Sequence, residues 1–69
     1  MVEVFKTNII RKGDADKMVQ HLKQYLPAAK INFDLDDCDN ILRIEYPLVS
    51  VVEVTKILTA QGFYCEVLK

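Results

Sequence analysis

Residues 47–62 read Pro-Leu-Val-Ser-Val-Val-Glu-Val-Thr-Lys-Ile-Leu-Thr-Ala-Gln-Gly, PLVSVVEVTKILTAQG, and the fold of the chain depends on whether they form a strand or a helix. Four valines and two threonines, stiff at χ1, favour a strand by propensity. The spacing of Val51, Val54 and Leu58 favours one face of a helix instead. The ends of the segment decide between the two. Ser50 followed by Glu53 makes a capping box, in which a side-chain oxygen meets an unpaired backbone N–H of the first turn. Val49 and Val54 stand at the two positions of a hydrophobic staple, and Gly62 supplies the left-handed residue that closes a helix. The segment reads as a helix.

On both sides of it the period changes to two. "KINFDL", residues 30–35, places Ile31, Phe33 and Leu35 on one face and Lys30, Asn32 and Asp34 on the other. "NILRIEY", residues 40–46, directs Leu42, Ile44 and Tyr46 inward. Between them lies "DDCDN", residues 36–40. Its carboxylates and amide bond their own backbone in turns, so the two strands form a hairpin. "FYCEVLK", residues 63–69, alternates Phe63, Cys65 and Val67 against Tyr64, Glu66 and Leu68. At the other end "VEVFKTNII", residues 2–10, has the β-branched and aromatic composition of a central strand. From Asp14 a helical spacing of Met18, Val19, Leu22, Tyr25 and Leu26 follows. Asp14 is expected to cap its first turn, Asp16 to complement its dipole and Pro27 to end it.

The order β-α-β-β-α-β, with right-handed crossovers, is the split β-α-β arrangement. It predicts an α+β, ferredoxin-like sandwich in which a four-stranded antiparallel sheet, order 4-1-3-2, carries both helices on one face. Sixty-nine residues make one domain spanning 1–69, with a core that must be dense at this size. In this topology the loop after the first strand, the hairpin turn and the turn at Gly62 leave the sheet at the same end. A site is expected there.

Composition excludes several function classes. Nine basic against ten acidic residues give a net charge of −1, so there is no basic surface for nucleic acid and no polybasic run for anionic lipid. No apolar stretch approaches the roughly 18 residues of a membrane span, and MVEVFK does not read as a signal peptide, so a cytoplasmic protein is expected. Two cysteines, Cys38 and Cys65, are too few for a disulfide scaffold and are expected as free thiols, Cys65 packing as a small buried hydrophobe. Ser50 is occupied as a helix cap and no nucleophile stands beside a base, so no enzyme is expected.

"YLPAAKINFDLDDCDNILRIEY", residues 25–46, resembles the segment of heavy-metal-associated domains in which a helix ends at Leu-Pro before a strand, an acidic turn and a second strand. "KILTAQGFYCEVL", residues 56–68, is similar to their closing helix, glycine, aromatic residue and final strand. The resemblance covers nearly the whole chain. It implies the ferredoxin-like fold and a link to metal-ion binding or transport, as in copper chaperones. Such domains carry Met-x-Cys-x-x-Cys on the first loop, and here that motif falls on Ile9, Ile10, Arg11, Lys12, Gly13 and Asp14. Ile9 can replace the methionine as packing. The cysteine positions hold Arg11 and Asp14, and a permanent cation beside a carboxylate cannot replace the thiolate pair that Cu(I) prefers.

No cofactor and no metal site is therefore expected. Asp36, Asp37, Cys38 and Asp39 offer oxygen ligands for a hard cation such as Mg²⁺ or Ca²⁺. Their rhythm lacks the glycine and the closing glutamate of an EF-hand loop, so they read as a solvated acidic turn. His21, the only histidine, lies about 10 Å along the helix from Asp14 at ~1.5 Å per residue, too far to join the loop. Arg11, Lys12 and Asp14 are the candidate residues for a ligand or partner, since Arg11 and Lys12 precede a helix N-terminus that favours anions. The helix-free sheet face is the second candidate surface. Val2, Val4, Ile41, Tyr64 and Leu68 lie there among Lys6, Arg43, Glu45 and Glu66, and a homodimer through this face is the alternative to an unknown protein partner or ion. The expectation is thus a non-catalytic, heavy-metal-associated-like binding module, with a protein-interaction or regulatory domain as the rival reading.

Overall fold

A computed structural model describes residues 2–36 and 38–68. Its elements are β1 (Val2–Thr7), α1 (Lys12–Tyr25), β2 (Lys30–Asp34), β3 (Ile41–Glu45), α2 (Val51–Ala60) and β4 (Cys65–Leu68). The contested segment is helical, and its ends are built as the sequence predicts. The Ser50 hydroxyl accepts from the Glu53 N–H at 3.3 Å. At the other end Gly62 has φ +87°, its N–H donates to the Thr59 carbonyl at 2.9 Å, and the Phe63 N–H donates to Leu58 at 3.0 Å. These two bonds are the 5→2 and 6→1 pair of a Schellman motif.

The sheet is antiparallel throughout, in the order β2-β3-β1-β4, which is the expected order read from its other edge. The chain is ferredoxin-like. Both helices contribute to one core with the inner face of the sheet: Phe5, Met18, Leu22, Leu42, Ile44, Val54 and Leu58 are all fully buried in it. Val49 packs against this cluster and Val54 lies inside it, as a staple requires.

β2 and β3 are each a residue or two shorter than the sequence reading, and three further boundaries differ from it for a local reason. β1 stops at Thr7 and does not reach Ile10, because the Thr7 hydroxyl accepts from the Ile9 N–H at 3.2 Å and bends the chain out of the ladder. β4 begins at Cys65 and not Phe63: the Phe63 N–H closes α2, and the Tyr64 N–H is taken by the Asn8 side chain at 2.8 Å. α1 begins at Lys12, so Asp14 is not its cap. Arg11 occupies that position without a side-chain cap bond, and Asp14 lies in the first turn, where its charge complements the helix dipole.

Burial follows the predicted alternation with two exceptions. Tyr25, expected on the apolar stripe of α1, is 39% exposed. Ile41, expected on the open face, is 8% exposed although it lies outside the core cluster. It occupies the central strand β3 opposite Lys6 of β1 and Asp34 of β2, and side chains on both neighbouring strands can cover it from the sides.

Candidate functional site

The three connections expected at one end of the sheet do meet there, and two polar residues bind them together. Thr7 is 4% exposed. Its N–H donates to the Asp39 carbonyl at 3.2 Å, and its hydroxyl donates to the Asn40 carbonyl at 2.7 Å while accepting from Ile9. One side chain thus fastens the hairpin turn to the loop after β1. Asn8 then fastens the same loop to the start of β4 through Tyr64. Asn40 adopts φ +48°, a left-handed conformation that asparagine tolerates better than most residues. Lys6 approaches Asp39 at 3.7 Å, an exposed pair of small energetic weight.

Thr7→Val tests this arrangement. The substitution keeps the shape and leaves the Ile9 N–H and the Asn40 carbonyl without their partner, so unfolding should become easier by roughly 1–2 kcal/mol. Chemical denaturation of both proteins measures the difference.

On this frame Ile9 is fully buried and holds the loop, while Ile10 next to it is 77% exposed. Arg11 and Lys12 are exposed and Asp14 is half-buried. Arg11 is thus the N-cap of α1, open to solvent, and Asp14 lies in the first turn of that helix. The acidic turn lies across from the first turns of α1. A shallow groove of about 730 Å³ runs between them, bordered by Lys12, Asp16, Val19, Phe33, Asp34 and Asp36.

Among the described residues no group of three or more His, Cys, Asp or Glu side chains is arranged to hold a metal ion. Asp37, one member of the acidic turn, lies outside the described residues. Cys38 is exposed and Cys65 buried, both as free thiols. Burial pushes the Cys65 thiol up from an ordinary 9.0 to about 11, and a hydrogen bond with Thr55 offsets part of the rise. His21 is half-buried on α1, between the fully buried Met18 and the exposed Tyr25. Ser50 is engaged as the cap of α2.

The helix-free face is mixed in character. Val2, Tyr64 and Leu68 are 46%, 49% and 37% exposed, and Val4 lies opposite Leu68 on one side and Arg43 on the other. The Tyr64 hydroxyl donates to the Glu66 carboxylate. That bond, with the nearby negative charge, holds the phenol above its ordinary range.

Comparison with protein-family models, with curated proteins and with solved structures finds no match. Classification therefore rests on the architecture, and that architecture is ferredoxin-like. Among the described residues no helix is long and apolar enough to cross a membrane.

Two features of this end were not read from the sequence. Thr7 and Asn8 act across 33 and 56 residues of chain, and only the strand order brings their partners near. A buried threonine at a strand end followed by an asparagine was the available signal, since both residue types divert backbone groups from a ladder.

Proposed function

We infer that this domain is a non-catalytic binding module on a heavy-metal-associated-like scaffold, working by docking through its loop end and not by chelating a soft metal. The observation that supports this reading is the contrast along residues 9–12. Ile9 is wholly buried, and Ile10, Arg11 and Lys12 project from the anchored turn. A loop fastened through Thr7 and Asn8 that exposes an apolar side chain beside two cations suits an acidic or anionic partner at a helix N-terminus. The link to metal-ion handling comes from the resemblance alone. Arg11 gives no ligand, and Asp14 is a single hard one.

A rival surface is the helix-free sheet face, on which Val2, Tyr64 and Leu68 are exposed. Partners there include a second copy of the chain.

Backbone NMR titration separates the readings. Cu(I) should bind no tighter than about micromolar, because two thiolates are missing from the loop. Retention of Cu(I) against a strong competing chelator would overturn the docking reading. Arg11→Ala combined with Lys12→Ala should change stability by no more than about 0.5 kcal/mol, since Arg11 makes no cap bond and Lys12 is exposed. The same pair should weaken an anionic ligand or acidic partner by roughly 1–3 kcal/mol through loss of charge-assisted hydrogen bonds. A partner indifferent to the double substitution would move the site to the sheet face.

A further inference from the structure

β2 is an edge strand: among the described residues it pairs with β3 alone and ends the sheet on that side. Its outward backbone groups form a ready template for another strand. The groove between β2 and α1 opens along the same edge, and Ile31 and Phe33 on its floor are only partly buried. Lys30, Asn32 and Asp34, which alternate with them, are exposed, and Asn32 and Asp34 also border the groove where it opens at the edge.

The order of these five residues, Lys30-Ile31-Asn32-Phe33-Asp34, is self-complementary when reversed. Laid antiparallel on its own copy about Asn32, the strand sets Lys30 against Asp34 of the second copy and Ile31 against Phe33, with Asn32 facing itself. Each copy supplies both members of each pair, as a two-fold axis requires. Opposite charges and an aromatic against a β-branched residue are the favourable cross-strand pairs, whereas like charges directly opposite are unfavourable. A shift of two residues either way sets Asn32 against Lys30 or Asp34, which breaks the charge match and shortens the strand overlap.

We propose that this domain self-associates through β2, joining two four-stranded sheets into one continuous eight-stranded antiparallel sheet with the Lys30–Asp34 pairs fixing the register. All four helices then lie on one face. The apolar pairs Ile31–Phe33 close the open side of the groove, which Lys12 borders and Arg11 does not. Arg11 stays outside the contact, and its part in the docking role proposed for the loop is independent of the joint.

Charge reversal tests the register, because Lys30 and Asp34 are exposed and their replacement leaves the core alone. Sedimentation of the wild-type chain over micromolar to millimolar concentration should show a monomer–dimer equilibrium. Lys30→Asp places two acids opposite each other twice, Asp34→Lys two lysines, and each should raise the dimer dissociation constant about tenfold or more. Combining both changes restores the match and should return the constant to near the wild-type value. Mixing the two single variants should yield a heterodimer tighter than either homodimer, since every cross-strand pair is then of opposite sign. A wild-type chain that stays monomeric at about millimolar concentration overturns the proposal, the edge charges then serving only to guard a solitary strand. A dimer that ignores both reversals also overturns it and points to the open sheet face. Amide spectra of each variant establish that the monomer fold is intact.

Discussion

Phe5→Ala is expected to destabilise the domain by roughly 3–5 kcal/mol, the cost of emptying a filled core site of an aromatic ring. Phe5 is fully buried at the centre of β1, between Leu42 of β3 and Val67 of β4. A domain under about 70–80 residues rarely has more than roughly 3–5 kcal/mol to lose, so the variant should be mostly unfolded at 25 °C. Circular dichroism and denaturant titration read this directly. Leu42→Ala, at another fully buried site, should cost about 2–5 kcal/mol. Phe33→Ala is the informative contrast. Strand alternation puts Phe33 inward like Leu42, but the edge position of β2 leaves it partly exposed, and about 1–2 kcal/mol is the appropriate scale for its incomplete burial. Equal costs at positions 5 and 33 would mean that the β2 edge is covered in solution, as pairing with a second copy would do.

That contrast marks how far the sequence alone reaches. Where an element is ended by residues close to one another, its boundary was legible. Ser50, Glu53 and Gly62 stopped a valine-rich segment from being read as a strand, and the bonds at Ser50, Gly62 and Phe63 are those the residue types promise. The cap of α1 was misplaced by three residues, because the side chain that could cap is Asp14 whereas the helix begins behind Arg11, which makes no such bond. Ile9, two residues before that cap, is fully buried. Strand order followed from the element order, and with it the meeting of three loops at one end. The fastening of those loops by Thr7 and Asn8 did not, because each acts on a partner distant in sequence. The self-complementary run Lys30–Asp34 was visible as letters from the outset. It acquired meaning only once β2 was placed at an edge.

Cys65 gives the fold a measurable pH dependence. Its side chain is 9% exposed in the core at the start of β4, and burial raises its pKa from an ordinary 9.0 to about 11. The folded state therefore holds the neutral thiol in a range where the unfolded chain already releases its proton. The contribution is fully present below about pH 9 and is lost as the pH rises through about 11. At 1.36 kcal/mol per pKa unit, the loss approaches about 2–3 kcal/mol at the top of that window. Tyr64 is also held above its ordinary value by its bond to Glu66, so the measurement is a difference. Unfolding free energies of the wild type and of Cys65→Ala, followed from about pH 8 to pH 11.5, should converge by that amount, the alanine variant falling less steeply. Alkylation supplies a second reading on the same residue. At about pH 8 the exposed Cys38 should react with iodoacetamide in the folded protein, and Cys65 only after unfolding, since the thiolate is the reacting species and a buried thiol is slow to form it. Parallel stability curves, or equal alkylation of both thiols under native conditions, would mean that β4 opens at Cys65 and that the loop-end frame is looser than the Asn8–Tyr64 bond implies.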